Sequence, residues 1–598
     1  MNPFKRFQNL LLNPRAQTLF FIFAFAFPLF FYRLGSWAFF DADEGRYGAI
    51  PREMVVNGDF ITPTLNHIKF FDKPPLLYWG IAGAYKAFGF HEWAARLIPA
   101  LAALAGVLSA YTLGRRMFGE RAGRWSAIIL STCLMWPLLA RVVVTDMLVS
   151  SLLFISLALW WLGNTEAVAR KQTLYFLGFW SVLGLAVLAK GPVTIVLAGG
   201  SIFLYCMIAR QWESLRIMRW VPGLVLCFAI AAPWFVLVAI RNPEFNGYFW
   251  YDQHIARFSG KSISGADHIE GRDYYFKLLP IIFFPWTFFI LGALDVAVRF
   301  LKKPDSPRRR AGVFLLSGVF FILLFFNITS SKLITYLLPI LPLTAILLGA
   351  YFDHLATRES EKNSYHAVWA SAWLLAGLLV IASGAAWKMG APKLTELGAS
   401  NFSIAATCVV IGVWGVALFA AASRRRAREL VAATAGGFTL VFVCALFLIS
   451  QVAPQFTTPK LIAYIQPGIT AGAEVDTLPF TQSVGFYARR RVEMLGLPSE
   501  LAFGIRQMTP AERKYWVTDD KLGTESRRHL ERDLRLATPV YFVIRKNKIN
   551  AAVLASLPAE ATKIIENKRF VIVGNKAAVA LTPPSQSEKS RLTSSVAQ

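Results

Sequence analysis

Cysteine is scarce. Five are present in 598 residues (Cys133, Cys206, Cys227, Cys408 and Cys444), all inside apolar runs and none spaced as a C-x-x-C pair. That excludes a disulfide framework and a thiolate metal knuckle. Charge is also sparse: 16% of residues are charged against 55% hydrophobic, and the mean hydropathy of +0.47 is too high for a soluble enzyme. Acidic residues are the scarcer sign, 36 against 62 Lys and Arg, for a net charge of +26. The basic residues sit in short clusters between apolar runs, not along one soluble face, so they speak for membrane topology and no nucleic-acid partner is expected. No internal repeat is visible. No small-residue cleavage site follows the apolar run that ends at Tyr32, so the basic start (Lys5, Arg6, Arg15) heads a retained first helix and not a signal peptide.

Apolar runs of about 18 to 22 residues recur from Thr18 to Ser450, each long enough to cross a hydrocarbon core of roughly 30 Å. Read as helices, they predict about thirteen spans, at 17–35, 94–114, 122–140, 144–162, 172–189, 192–209, 218–239, 277–300, 311–329, 336–353, 366–388, 402–421 and 430–451. An odd number puts the termini on opposite sides. Alternate connections carry the basic residues: Lys5/Arg6, Arg115/Arg116/Arg121/Arg124, Arg170/Lys171, Arg210/Arg216/Arg219, Lys302/Lys303/Arg308/Arg309/Arg310, Arg358/Lys362 and Arg424/Arg425/Arg426/Arg428. By the positive-inside rule this set is cytoplasmic, which makes the N-terminus cytoplasmic too.

The opposite side then holds two long loops, 36–93 and 241–276, and everything after about 452. Phe70 to Phe90 is aromatic-rich and begins with prolines, and it reads as a helix lying at the interface, with a short span as the alternative. From Pro454 the composition is that of a soluble domain. Val540–Ile544 and Phe570–Val573 read as strands, Gly574-Asn575 as a turn and Ala577–Leu581 as a returning strand. The expected organisation is a transmembrane domain over 1–452, a small extracytoplasmic α/β domain over 453–582, and a Ser-rich disordered tail over 583–598.

Ionisable groups near a bilayer are expensive and call for a reason. On this topology the unusual ones gather on the extracytoplasmic side: Asp41, Asp43, Glu44 and Arg46 after the first span, Asp72 and Lys73 before the interfacial stretch, Arg141 and Asp146 around one turn, Lys190 at the end of a span, and Lys332 and Tyr336 at the start of another. One polar cavity at that surface, built for a lipid bearing a phosphate, accounts for all of them together. Carboxylates can serve as base, transition-state stabiliser or metal ligand, and Lys and Arg hold phosphate oxygens. Each residue also has a plainer use. Asp43 and Glu44 suit a helix N-terminus, Lys73 and Lys190 suit snorkelling to the interface, Arg141 with Asp146 suits a structural ion pair, and His254 suits a hydrogen-bonded loop histidine.

The run Asp43-Glu44-Gly45-Arg46-Tyr47 with Pro51-Arg52-Glu53-Met54, then Phe71-Asp72-Lys73-Pro74-Pro75-Leu76 and Tyr78-Trp79, resembles the 4-amino-4-deoxy-L-arabinose lipid A transferase family. Arg141-x4-Asp146, Lys190-Gly191-Pro192 and Ser331-Lys332 with Tyr336-Leu337-Leu338-Pro339 extend the likeness to about residue 350. That family is related to the protein O-mannosyltransferases and has the GT-C fold. The resemblance implies inverting transfer of 4-amino-4-deoxy-L-arabinose or a related sugar from undecaprenyl phosphate to lipid A phosphate, on the periplasmic side of the bacterial inner membrane. Resistance to cationic peptides such as polymyxin follows if that phosphate is masked.

The family's key acid falls on Asp43, with Asp146 as a second catalytic candidate, and donor-phosphate contacts fall on Lys73, Lys190, Lys332, Arg46 and Tyr336. Asp72 stands where the family usually has Glu. With His254 it would hold a divalent cation (Zn, Mg or Mn), and the shorter side chain weighs against that role. The expected partners are the undecaprenyl-linked donor, lipid A or another periplasmic acceptor, and membrane lipids, with the chain acting as a monomer. Two other functions stay open at this point: a sister enzyme that glycosylates protein or another glycan, and a transporter of lipid-linked saccharide. A transporter usually places polar groups near the midplane of repeated, broken helices, a pattern not found here.

Overall fold

The protein is described from a computed structural model over residues 14–256, 269–301, 306–357, 366–496, 498–518, 524–555 and 557–583. Lys5, Arg6, Lys302, Lys303, Arg358, Lys362 and the tail from 584 onward lie outside these residues. The chain forms two compact units. The first comprises the described residues of Met1–Gly35, Asp72–Ile263 and Asp267–Gln451; the second joins Ser36–Phe71 to the described residues from Val452 onward.

In the first unit every predicted span contains helix, yet not every one is a clean span. Among the described residues, nine helices are long and apolar enough to cross a membrane: Glu92–Phe118, Thr145–Thr165, Ala169–Lys190, Trp220–Arg241, Pro307–Ile328, Ile340–Thr357, His366–Glu396, Asn401–Arg424 and Ala427–Gln455. The remaining predicted spans are short or broken. Pro14–Phe30 and Val193–Ala209 have 17 residues each, about 26 Å of helix. The stretch 122–140 divides into Glu120–Ser131 and Met135–Leu139. The stretch 277–300 is Tyr274–Ile282 and Trp286–Arg299, bent by 102°. Pro285 lies at that bend and cannot donate to the helical ladder. The two breaks meet: Leu134 N–H donates to Phe284 O at 2.8 Å and Trp286 Nε1 to Thr132 Oγ1 at 3.0 Å. Each break thus supplies hydrogen-bond partners to the other, one pair from the backbone and one from side chains.

Small residues let the helices approach. A Cβ on Gly349 would stand 2.6 Å from Ala122 O and 2.9 Å from Ser126 N, so the helices Ile340–Thr357 and Glu120–Ser131 touch backbone to backbone there. Two buried arginines hold the end of the first helix. Arg141 donates to Leu29 O (3.2 Å) and Tyr32 O (2.7 Å), and Arg96 to Leu34 O (3.1 Å). Carbonyls at a helix end outnumber the backbone donors available to them, and cations suit a helix C-terminus. The stretch expected at the interface is the 13-residue helix Leu76–Phe88, about 20 Å long and too short to span. Elsewhere in the unit, Arg121, Arg124 and Arg428 line one cavity of about 290 Å³, and Arg121 Nε pairs with Asp353 Oδ1 at 2.7 Å. Two of the basic clusters separated by about 300 positions of sequence therefore share one place in the unit.

The second unit carries two sheets. The hairpin pairs β1 (Thr64–Leu65) with β2 (Ile68–Lys69). The larger sheet contains β3 (Glu474–Leu478), β4 (Glu493–Met494), β5 (Val540–Arg545), β6 (Thr562–Glu566) and β7 (Phe570–Gly574), in the order β4-β3-β5-β7-β6. β3 runs parallel to β4 and β5; β7 runs antiparallel to β5 and β6. Val540, Phe542, Ile544, Val571 and Val573 form its core with Leu478, Leu495, Leu530 and Leu534.

The predicted returning strand is instead the helix Lys576–Ala580. Asn575 decides this, because its Oδ1 accepts Ala578 N–H (2.9 Å) as an N-cap and its Nδ2 donates to Thr538 O (2.7 Å) and Leu536 O (3.1 Å). The partner that β7 takes is the polar edge strand β6, whose Thr-Lys-Ile-Ile-Glu sequence carries little strand signal.

Candidate active site

Thr145–Thr165 and Ala169–Lys190 form an antiparallel helical hairpin. Asp146 stands in the first turn of one and Lys190 in the last turn of the other, so the short connection brings them to the same end. Lys190 Nζ lies 2.5 Å from Asp146 Oδ1, with both side chains mostly buried. Each charge also faces the helix end that favours it. Gly191 ends the second helix with φ +95° and a 2.7 Å bond from its N–H to Val187 O, a conformation that glycine adopts without strain. Pro192 then starts the next helix, so Lys-Gly-Pro is a device for stopping a helix with a lysine at its tip.

The Lys190 ammonium also lies 4.6 Å from the centre of the Tyr336 ring, itself 4.9 Å from the Phe326 ring. Tyr336 belongs to the 3₁₀ turn Ile334–Leu337 before the helix Ile340–Thr357. Lys332, in the segment leading to that turn, is buried, and its Nζ donates to Thr329 O (2.6 Å) and Glu270 O (3.1 Å). A bridge between Ile269 and Ser331 aligns the two strands of chain that supply those carbonyls.

Asp72 and Lys73 open the long segment of the first unit. Lys73 Nζ donates to Asp72 O at 3.0 Å. Asp72 Oδ1 accepts the Tyr248 hydroxyl in a short bond and Gln253 Nε2 at 3.3 Å, and Gln253 Nε2 also reaches Tyr248 Oη at 2.8 Å. Tyr248 and Gln253 are five residues apart on the π-helix Gly247–Ala256, whose i→i+5 period places them side by side. Sequence reasoning did not single out Gln253, because a glutamine in an aromatic loop carries no signal of its own. His254 follows it on the same turn, and its side chain lies outside the described residues. Two neutral donors already occupy Asp72 Oδ1, an arrangement that fits a hydrogen-bonded anchor and does not fit a metal ligand at that oxygen.

Asp43 and Arg46 lie in the second unit, on the helix Asp43–Asn57. Asp43 and Glu44 form its first turn, as acidic residues at a helix start should. The Asp43 side chain is 64% exposed and sits 3.8 Å from Arg46 Nη1, and the other Arg46 nitrogen pairs with Glu500. Nearby acids serve the fold. Asp41 accepts from Ser483 N–H (2.7 Å) and Oγ (2.5 Å), and burial pushes its carboxyl up to about 6 against the pull of those bonds and of Arg569 and Arg545. Glu53 accepts from Thr64 Oγ1 (2.6 Å), Asn66 N–H (2.7 Å) and His67 N–H (3.0 Å), so it organises the β1–β2 turn.

A sequence profile of the dolichyl-phosphate-mannose-protein mannosyltransferase family matches residues 72–237. Among solved structures, that of ArnT from Cupriavidus metallidurans bound to undecaprenyl phosphate superposes with a TM-score of 0.78 at 27% identity, over 95% of this chain and 99% of that one. The helices, the charged turns and these matches define a multi-span membrane glycosyltransferase of the GT-C fold. An undecaprenyl phosphate-alpha-4-amino-4-deoxy-L-arabinose arabinosyl transferase of Proteus mirabilis is 30% identical over 62% of this chain and 67% of its own length. One from Erwinia tasmaniensis is 28% identical over 63% and 69%. The chain belongs to this arabinosyl transferase family.

Proposed function

We propose that the protein transfers 4-amino-4-deoxy-L-arabinose, or a closely related sugar, from undecaprenyl phosphate to a phosphate of lipid A, with inversion at the anomeric carbon. The reaction takes place at the periplasmic face of the inner membrane, with the N-terminus cytoplasmic and the second unit periplasmic. The alternating basic connections support that orientation, and the likeness to ArnT bound to undecaprenyl phosphate supports the donor.

The observation that carries the chemistry is Lys190, held between a carboxylate and an aromatic face at a helix tip. Phosphate is the leaving group, so a cation that gains attraction as negative charge builds on it lowers the barrier. Lys190 is assigned that role, with Lys73, Lys332, Arg46 and Tyr336 as further donor-phosphate contacts. Asp146, expected as catalytic, becomes a positioning residue that acts through Lys190. Asp43 is the acid assigned to the sugar, where a carboxylate stabilises oxocarbenium character. A lipid A phosphate is already ionised, so little base is needed. No step is routed through a divalent cation at Asp72 and His254.

Asp43→Asn tests the reading. The variant is expected to insert and purify like the parent and to lose transfer from polyprenyl-phosphate-linked sugar, followed by mass spectrometry of lipid A. Turnover at the parental rate would refute the assignment. Unchanged lipid A in a deletion strain, with sugar missing from protein or another glycan, would move the acceptor to the sister class.

A further inference from the structure

The larger sheet of the second unit buries a cluster that sugar transfer does not use. Register pairs Asp476 of β3 directly with Glu493 of β4, so both side chains point to one face of the sheet. The helix Thr524–Leu534 presents His529 and Asp533 at i and i+4, hence on one side. His529 Nε2 lies 3.0 Å from Asp533 Oδ2 and touches Glu493. One ligand-capable atom from each of Glu493, His529 and Asp533 falls within 4.8 Å of the others. Asp476 is 1% exposed, and neither of its carboxylate oxygens has a hydrogen-bond partner among the described residues. An unpartnered buried carboxylate is costly.

Three carboxylates are opposed here by His529 and by Arg532. The Arg532 Nε donates to Asp533 Oδ1 at 2.7 Å and its Nη2 reaches His529 Nε2 at 2.6 Å, from an exposed position. Burial, and then the neighbouring Glu493 and Asp533, hold the Asp476 carboxyl well above the usual range. On His529 burial acts downward, but the bonds and charges of Asp533 and Glu493 prevail and carry the imidazole up to about 9. The group as built is short of positive charge.

We propose that Asp476, Glu493, His529 and Asp533 form a closed four-ligand site for one divalent transition-metal ion of the zinc or manganese class, clamping β3 and β4 to the helix Thr524–Leu534. One imidazole with carboxylate oxygens is a donor set such ions accept. A tetrahedral ion with bonds near 2.1 Å separates its ligand atoms by about 3.4 Å; Glu493, His529 and Asp533 already lie within 4.8 Å of one another, and Asp476, paired in register with Glu493, completes the set by turning its side chain toward them. All four ligands come from protein, so the ion is structural and leaves no position for substrate.

The full chain in detergent, carrying Asp72→Ala to remove the candidate ligand of the first unit, is stripped with chelator. It is then dialysed against zinc or manganese and analysed by mass spectrometry for bound metal. One ion per chain is expected, with affinity at least tenfold weaker in His529→Gln and lost in Asp476→Asn/His529→Gln. No bound ion in the Asp72→Ala chain would overturn the proposal, leaving a cluster held by shared protons. An ion retained by the double variant would overturn it equally. Should the variants fail to fold, cobalt loading of the Asp72→Ala chain decides: tetrahedral d–d bands support the site, and their absence rejects it.

Discussion

Asp146 Oδ1 and Lys190 Nζ stand 2.5 Å apart, joining the first turn of one membrane helix to the last turn of the next. If Lys190 serves the leaving phosphate and Asp146 serves Lys190, their losses differ. Lys190→Ala should reduce turnover about 100-fold or more, the scale of removing one preorganised transition-state contact. Asp146→Asn should cost less and be expressed partly in KM, since the ammonium remains. Steady-state transfer assays on both variants check this, and equal losses would contradict a positioning role.

Tyr336 offers Lys190 a ring face at 4.6 Å, and the contact of its hydroxyl with the donor is the part of its proposed role to be tested. Loss of a cation–π contact is worth about 0.5–1 kcal/mol at a partly exposed site, so Tyr336→Leu should lower kcat/KM a few-fold through the ring alone. Tyr336→Phe keeps the ring. Activity near that of the parent in Tyr336→Phe assigns the residue to Lys190, whereas a loss matching Tyr336→Leu assigns the hydroxyl to the donor.

Tyr248 and Gln253 hold Asp72 across 176 and 181 positions of sequence. A hydrogen bond to a charged acceptor contributes about 1.5–3 kcal/mol. Tyr248→Phe should therefore lower the thermal midpoint of the detergent-solubilised chain by a few degrees. Scanning fluorimetry with the parent alongside reads the difference, and an unchanged midpoint removes the anchor.

Arg141 is fully enclosed and caps carbonyls at the end of the first helix. Arg141→Met keeps the volume but strips those carbonyls of their donor, and each orphaned buried group costs about 1–3 kcal/mol. Membrane-inserted yield and thermal midpoint should both fall, while Arg124→Met, beside the 290 Å³ cavity, should change them little.

Burial raises Glu53 from the ordinary 4.5 to about 7, against the hydrogen bonds from Thr64, His67 and Asn66 and the charge of Arg52. The folded unit thus holds this proton more tightly than the unfolded chain. Its stabilising contribution is complete below pH 4.5 and is lost as the pH rises through 7. The swing is on the order of 3 kcal/mol. Glu53→Gln should flatten the fall of the thermal midpoint between pH 5 and 8, and a parallel pair of curves would show that Glu53 does not titrate in this window.

Periodicity and loop charge revealed the membrane helices because both follow from the solvent, acting residue by residue along the chain. The pairing of Asp146 with Lys190 was within reach for the same reason: two spans joined by Glu166 to Val168 must return to the same end. What stayed hidden depended on contacts between distant residues. The break at Thr132 needs Phe284 and Trp286 to satisfy it. The helix at Lys576 needs Asn575 to spend its amide on carbonyls near 536–538. The Asp476 cluster is assembled by strand register and helix docking, and its four members are dispersed over 58 positions with no motif.

The membership of Ser36–Phe71 in the second unit carries a consequence for biosynthesis. Asn66 is bonded to Val492 in both directions and Asp41 to Ser483, so this early segment cannot complete its fold until the ribosome has delivered residues 426 and 442 positions later. At 5–20 residues per second that interval is on the order of 20–90 s. Throughout it the nascent segment waits without its partners, with Asp41 and Glu53 still hydrated, a period in which chaperones and proteases have access to it. A soluble fragment cut at residue 453 would inherit the opposite defect, lacking the hairpin and helix that its own sequence cannot replace.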